Sequence, residues 1–191
     1  MSKFDIKPFL AYGPEHHTLE AIMRLQAVKR WHMIETNRTQ TLAEHSANVA
    51  LLATWIAFTS PLNSFTSPYA IAVMALLHDM PEAFTGDVPS HSKRHLTGID
   101  RLEEGVMPSD FTLLMPSPTA NDKMLLKMCD LADGIRFIRV HGVDATGVHA
   151  QEGLEAQLQE RRYHAENGLK WDDTLRSHVL TKIMFYAYEG N

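Results

Sequence analysis

One cysteine, Cys129, stands in 191 residues. A lone thiol excludes an internal disulfide framework and a cysteine-built metal cage, and makes a reducing, cytoplasmic setting the expectation. Long hydrophobic runs are missing too. None reaches the roughly 18 apolar residues that cross a bilayer, and "MSKFDIKPFLAYGPEHH" lacks the apolar stretch of a signal peptide, so neither a membrane span nor a leader is expected. Basic residues are outnumbered, 18 Lys and Arg against 23 Asp and Glu, for a net charge of −5. That balance argues against a protein that coats a nucleic acid polymer, because such binding needs many cations against phosphates, while a small phosphorylated ligand needs only a few local ones. Convincing period-2 strands, internal repeats and low-complexity tracts are also absent.

What is present is helix. Spacings of three and four residues predict helices over 18–31, 41–58, 67–84, 121–140, 149–166 and 172–188, with a short one over 97–105. In the first, Leu19, Ile22, Met23 and Gln26 share a face, and in the second Thr41 and Glu44 have capping-box spacing. Clusters of Gly, Pro, Ser and Asn interrupt these segments at 37–40, 60–68, 86–92, 107–122 and 141–147, and none resembles an interdomain linker. The expectation is one compact all-α bundle of about six to seven helices, a size that buries a single core.

Several helices carry ionisable residues on their apolar stripes. His45 aligns with Val49, Leu52 and Ile56; His78 follows Ile71 and Met74; Asp130 lies between Leu126 and Phe137, with Asp133 on the same face. A single buried histidine ordinarily makes a core hydrogen bond. Charges on three inward faces together would cost too much desolvation without compensation, and a divalent cation is the economical compensation.

The ordered set "RW" (30–31), "NRT" (37–39), "EHS" (44–46), "HDMPEAFTGDVP" (78–89) and "KMCD" (127–130) resembles the HD-domain metal phosphohydrolases, specifically the YfbR-like branch of 5′-deoxynucleotidases. The resemblance spans about residues 20–140. It implies one divalent metal, with Co, Mn, Zn and Fe all suited to the ligand set, bound by His45, His78, Asp79 and Asp130. Asp133 is the rival for the last place, and the pattern of "KMCD" favours Asp130. It also implies a catalytic Glu82 and a catalytic, substrate-binding Asp87, with Arg30 and Trp31 meeting phosphate and sugar. Val88, Pro89, Ser90 and Lys93, just past Asp87, complete the expected substrate contacts. Pro81 removes a helical hydrogen bond beside Glu82, so Glu82 either turns toward the metal or ends the helix as a solvated carboxylate. Likewise Arg30 and Trp31 read otherwise as a helix C-terminal cation and a core anchor.

The implied reaction is hydrolysis of the 5′-phosphate ester of 2′-deoxyribonucleotides, monophosphates giving deoxynucleoside and phosphate. Similar phage proteins are dATP triphosphohydrolases, which release tripolyphosphate, and the basic tract "SHSKRH" (90–95) keeps that alternative open. Its His91 and His95 raise a two-metal oxidase, which the single-metal "GDVP" turn disfavours; a non-catalytic nucleotide sensor is the remaining reading. The resemblance further implies a homo-oligomer, and Val179, Ile183, Met184 and Tyr186 serve either an interface or the core.

Overall fold

A computed structural model describes residues 14–93 and 95–189, apart from the side chains of 14–17, 90 and 91. Among the described residues the chain is helical and forms no strand, only two isolated bridges, Lys29 with Thr41 and Thr36 with Gly142.

The long helices are α1 (Pro14–Leu25), α2 (Leu42–Thr59), α3 (Pro68–Leu77), α8 (Ala120–His141), α9 (Ala145–Asn167) and α10 (Asp173–Met184). Between α3 and α8 lie α4 (Glu82–Thr85), α5 (Ser90–Lys93), α6 (Ile99–Val106) and α7 (Ser109–Leu114), the last inside the expected break at 107–122. A π-helical turn, Phe185–Glu189, closes the described chain. The expected bundle is therefore present, with short helices added where Pro and Gly shorten each run.

Helix α8 forms the axis. Leu125, Met128, Ala132 and Ile135 are buried against Val49, Ala53 and Ile56 of α2, Ile71 and Met74 of α3, and Val179 and Ile183 of α10. Val179 and Ile183 thus belong to the core, whereas Met184 is partly exposed. Helix α8 starts cleanly because Thr119 and Asp122 form a reciprocal capping box. At α2 only half of the expected box forms. Thr41 accepts the Glu44 N–H at 3.2 Å, but the Glu44 carboxylate pairs with Arg38.

Three expectations fail on tertiary contacts. Helix α1 ends at Leu25 rather than near 31, because the following segment pairs with the approach to α2: the Arg30 N–H donates to the Gln40 carbonyl at 2.9 Å. Its buried face is Ala21 and Leu25, while Leu19, Ile22 and Met23 are exposed. The run over 67–84 breaks at Leu77, and four i→i+3 bonds, such as Glu82 N–H to Asp79 carbonyl at 3.0 Å, carry the chain past Pro81 into α4. Gly86, at φ 78°, then turns the chain out of α4 in the left-handed region that only glycine enters freely.

Candidate metal and phosphate site

Four side chains converge from three places in the fold. His45 comes from the first turn of α2, His78 and Asp79 from the end of α3, and Asp130 from the middle of α8. Nε2 of His45 lies 3.5 Å from Asp79 Oδ2 and 3.2 Å from Asp130 Oδ1, and Nε2 of His78 lies 3.2 Å from Asp79 Oδ2. One ligand atom each from His45, His78 and Asp79 fit within 4.8 Å of one another.

The other ring nitrogens fix these orientations. His45 Nδ1 meets Asp133 Oδ2 at 2.7 Å, and His78 Nδ1 meets the Ala75 carbonyl at 2.7 Å. Both acceptors require the proton on Nδ1, which leaves the Nε2 lone pairs facing the carboxylates. Neither Nε2, although buried, has a hydrogen-bond partner. Two orphaned imidazole nitrogens opposite two carboxylates form a donor set that a divalent cation satisfies. Electrostatics agree. Burial and the Arg30 charge pull the His45 imidazole down, but Asp130 and Asp133 outweigh them and lift it to about 9, so the site demands positive charge beside Nε2. Asp130 is held well below the ordinary carboxylate range: burial opposes this, and Lys127 and His45 prevail.

The rivalry on α8 separates spatially. Asp130 reaches the Nε2 side of His45 and Asp133 the Nδ1 side. Asp133 is 2 % exposed and takes four bonds: from Gln40 Nε2 at 2.8 Å, His45 Nδ1, Asn48 Nδ2 at 3.0 Å and the Tyr186 hydroxyl at 2.8 Å. Burial and the Asp133 charge push the Tyr186 phenol up, which keeps it a donor.

A cavity of about 810 Å³ opens over this cluster, large enough for a nucleotide. Arg30, Trp31, Asp79, Glu82, Asp87, Val88, Pro89, Lys93 and Asp130 all line it. Ser90 opens α5, but its side chain lies outside the described residues, as does that of His91; His95 is exposed. The reading of Arg30 as a helix C-terminal cation does not hold. Arg30 and Trp31 both sit in the loop after α1, Trp31 at φ 62°. The Arg30 guanidinium is 3.9 Å from both Asp79 and Asp130, beyond hydrogen-bond length, and its Nε and Nη1 are unpartnered. Trp31 stacks on Phe137 with centroids 6.3 Å apart and planes at 8°, beneath the Arg30 cation at 5.2 Å.

Glu82 is not a solvated carboxylate. It is 6 % exposed on the cavity wall, and burial and Asp79 push it up to about 8 against the pull of Lys93, whose ammonium is 2.6 Å away. Lys93 also binds Glu103 at 2.8 Å. The far wall comes from α9, through Ala150, Gly153, Leu154 and Gln157. Sequence periodicity marked α9 as generic helix, and nothing in it signals this role. Gln40, Asn48, Lys127 and Tyr186 were likewise missed. The one available clue was Asp133 itself, a buried carboxylate that needs donors. A smaller apolar hollow between Trp55 and Phe185 has no cluster of ionisable groups.

The chain is similar to several known proteins. The family described as 5′-deoxynucleotidase YfbR-like matches residues 17–106. The dATP triphosphohydrolase of Salmonella phage PMBT28 is 31% identical over 159 residues, covering 80% of this chain and 81% of that protein. The 5′-deoxynucleotidase PM0747 of Pasteurella multocida (strain Pm70) is 38% identical over 81 residues, 40% of each chain. In fold, the Cyanophage S-2L HD phosphohydrolase, solved with dA and one catalytic Zn2+ ion, superimposes with a TM-score of 0.71 over 91% of this chain and 97% of its own, at 23% identity. With the matched segment holding Arg30, His45, His78, Asp79 and Glu82, and a relative alike across four fifths of both chains, this chain belongs to the YfbR-like 5′-deoxynucleotidase family of HD-domain phosphohydrolases.

Proposed function

We propose that the chain hydrolyses the 5′-phosphate ester of 2′-deoxyribonucleotides, with His45, His78, Asp79 and Asp130 holding one divalent cation. The observation that carries this is the pair of unpartnered Nε2 atoms facing two carboxylates at the floor of a nucleotide-sized cavity. Such a cation, zinc or one of cobalt, manganese and iron, supplies Lewis-acid activation of water and of the phosphoryl group.

The chain's own residues supply the rest. The free N–H groups of Arg30 grip phosphate oxygens in the fork geometry that guanidinium favours. The Trp31 indole forms a wall for the sugar and base. Glu82, or Asp87, which also lines the cavity, takes a proton from the attacking water as the bond from phosphorus to the 5′ oxygen breaks, and a proton passes to that oxygen as it leaves. The buried position of Glu82, with its raised pKa, suits both accepting and returning a proton near neutral pH.

A second reading is a dATP or dNTP triphosphohydrolase. The phage relative bearing that name matches along most of both chains, and Lys93 and Lys127 add cations at the cavity beyond Arg30. The same attack on the innermost phosphorus would release tripolyphosphate. Incubation of the metal-loaded protein with mono-, di- and triphosphates of ribo- and deoxynucleosides, with product identification, distinguishes the two. Failure to cleave any deoxynucleotide with Co, Mn, Zn or Fe ends both readings. Self-association is a companion proposal, supported by exposed Trp55, Phe58 and Phe185 and checked by sedimentation.

A further inference from the structure

Gln40 is 1 % exposed and spans two halves of the site. Its Oε1 accepts the Trp31 Nε1 proton at 2.8 Å, and its Nε2 donates to Asp133 Oδ2 at 2.8 Å. The indole nitrogen can only donate, so the orientation of the amide is fixed. The same Asp133 Oδ2 engages His45 Nδ1 at 2.7 Å. A continuous line of hydrogen bonds therefore runs from the aromatic wall, through one amide and one carboxylate, to an imidazole of the metal cluster.

We propose that Gln40 is a positioning residue that holds the Trp31 wall in register with His45, and that discrimination against a 2′-hydroxyl depends on it. This rests on the proposed function and assigns its sugar selectivity to a residue that need not touch substrate. Trp31 requires such a hold. Its backbone stands at φ 62°, where a large side chain has no intrinsic preference, and the residue lines the cavity. Gly134 leaves the space the ring occupies: a Cβ there would meet the indole at 3.3 Å and Leu154 at 3.2 Å. The wall is thus clamped by a hydrogen bond at Nε1 and by the space that Gly134 leaves beside Cη2 and Cζ2. On the metal side, Asp133 keeps three bonds when Gln40 is lost, so His45 stays oriented while Trp31 does not.

The test uses two readouts: Co2+ affinity by titration, which needs no substrate, and the ratio of kcat/KM for dAMP over AMP, and for dATP over ATP. Gln40→Leu is expected to lower the ratio at least tenfold while Co2+ affinity stays within about threefold of the unmodified protein. Tyr186→Phe removes an Asp133 bond with no link to Trp31 and likewise leaves Asp133 three bonds; it is expected to keep both the sugar ratio and, within about threefold, the Co2+ affinity. Gly134→Ala, a substitution that favours the helix, crowds the indole directly and should lower the ratio even if Gln40→Leu does not fold. An unmodified protein that discriminates, with Gln40→Leu or Gly134→Ala folded and discriminating equally, overturns this inference alone. An unmodified protein that cleaves no deoxynucleotide overturns the proposed function, and this inference with it.

Discussion

The imidazoles of His45 and His78 stand with centroids 5.4 Å apart and planes at 51°, each held by a partner at Nδ1 and open at Nε2. Two rings from different helices adopt this mutual pose because the His45 Nδ1 acceptor is Asp133 of α8 and the His78 Nδ1 acceptor is the Ala75 carbonyl, three residues back in its own helix. The cluster is preorganised by the fold before any ligand arrives.

Loss of either His45 or Asp130 should empty the centre. His45→Ala and Asp130→Ala are each expected to abolish stoichiometric metal retention after dialysis and to eliminate phosphate release, because each removes one of four donors. Metal analysis by mass spectrometry checks this, and full occupancy with full activity in either variant would remove the site from consideration.

Glu82→Gln keeps the size of the side chain and a bond to its surroundings but cannot accept a proton. The metal and substrate KM should be retained while kcat falls by about a hundredfold or more, the scale of a positioned acid or base. An unchanged kcat would transfer the role to Asp87.

Arg30 and Trp31 should separate by phenotype. Arg30→Ala is expected to weaken all phosphorylated substrates to a similar degree, since it removes a phosphate grip. Trp31→Ala should instead raise the relative rate on ribonucleotides by roughly tenfold to a hundredfold, since the apolar wall that strands a 2′-hydroxyl is gone. Steady-state kinetics on paired ribo- and deoxynucleotides reads both.

A stability prediction concerns Asp122, fully buried and away from the cavity. It accepts from Thr66 N–H at 3.0 Å, from the Thr66 hydroxyl and from Thr119 N–H at 2.8 Å. Burial alone would raise its pKa, but these donors outweigh that and lower it. A carboxylate lowered on folding stabilises above its unfolded value, near 3.8, and that contribution is lost as pH falls through the folded value. Asp122→Ala should therefore cost about 1–3 kcal/mol at pH 7 by thermal or urea unfolding. The gap from the unmodified protein should narrow below pH 3.8, with kcat at neutral pH preserved.

The inward placement of two candidate site residues was legible from helical period, whereas their assigned roles came from the family resemblance. His45 in line with Val49 and Ile56, and Asp130 in line with Leu126, needed only the 3.6-residue repeat and the cost of burying charge. What the sequence hid depended on distant pairing. Nothing in "QAVKRW" breaks a helix, and only the bridge of Lys29 to Thr41 shows why α1 stops early. Tyr186 reaches Asp133 across 53 residues from a π-helical turn that has no sequence signature. Gln40 read as a loop residue because its two partners lie on opposite sides of it in space.

Chain order gives the buried carboxylate a temporal consequence. His45 emerges during synthesis 88 residues before Asp133, and Asp133 another 53 before Tyr186. At the usual ribosomal pace of about 5–20 residues per second, the last interval alone lasts on the order of several seconds. Throughout it, the carboxylate lacks its phenol. The nascent polypeptide thus carries an incompletely braced centre until the segment that bears Tyr186 has been made.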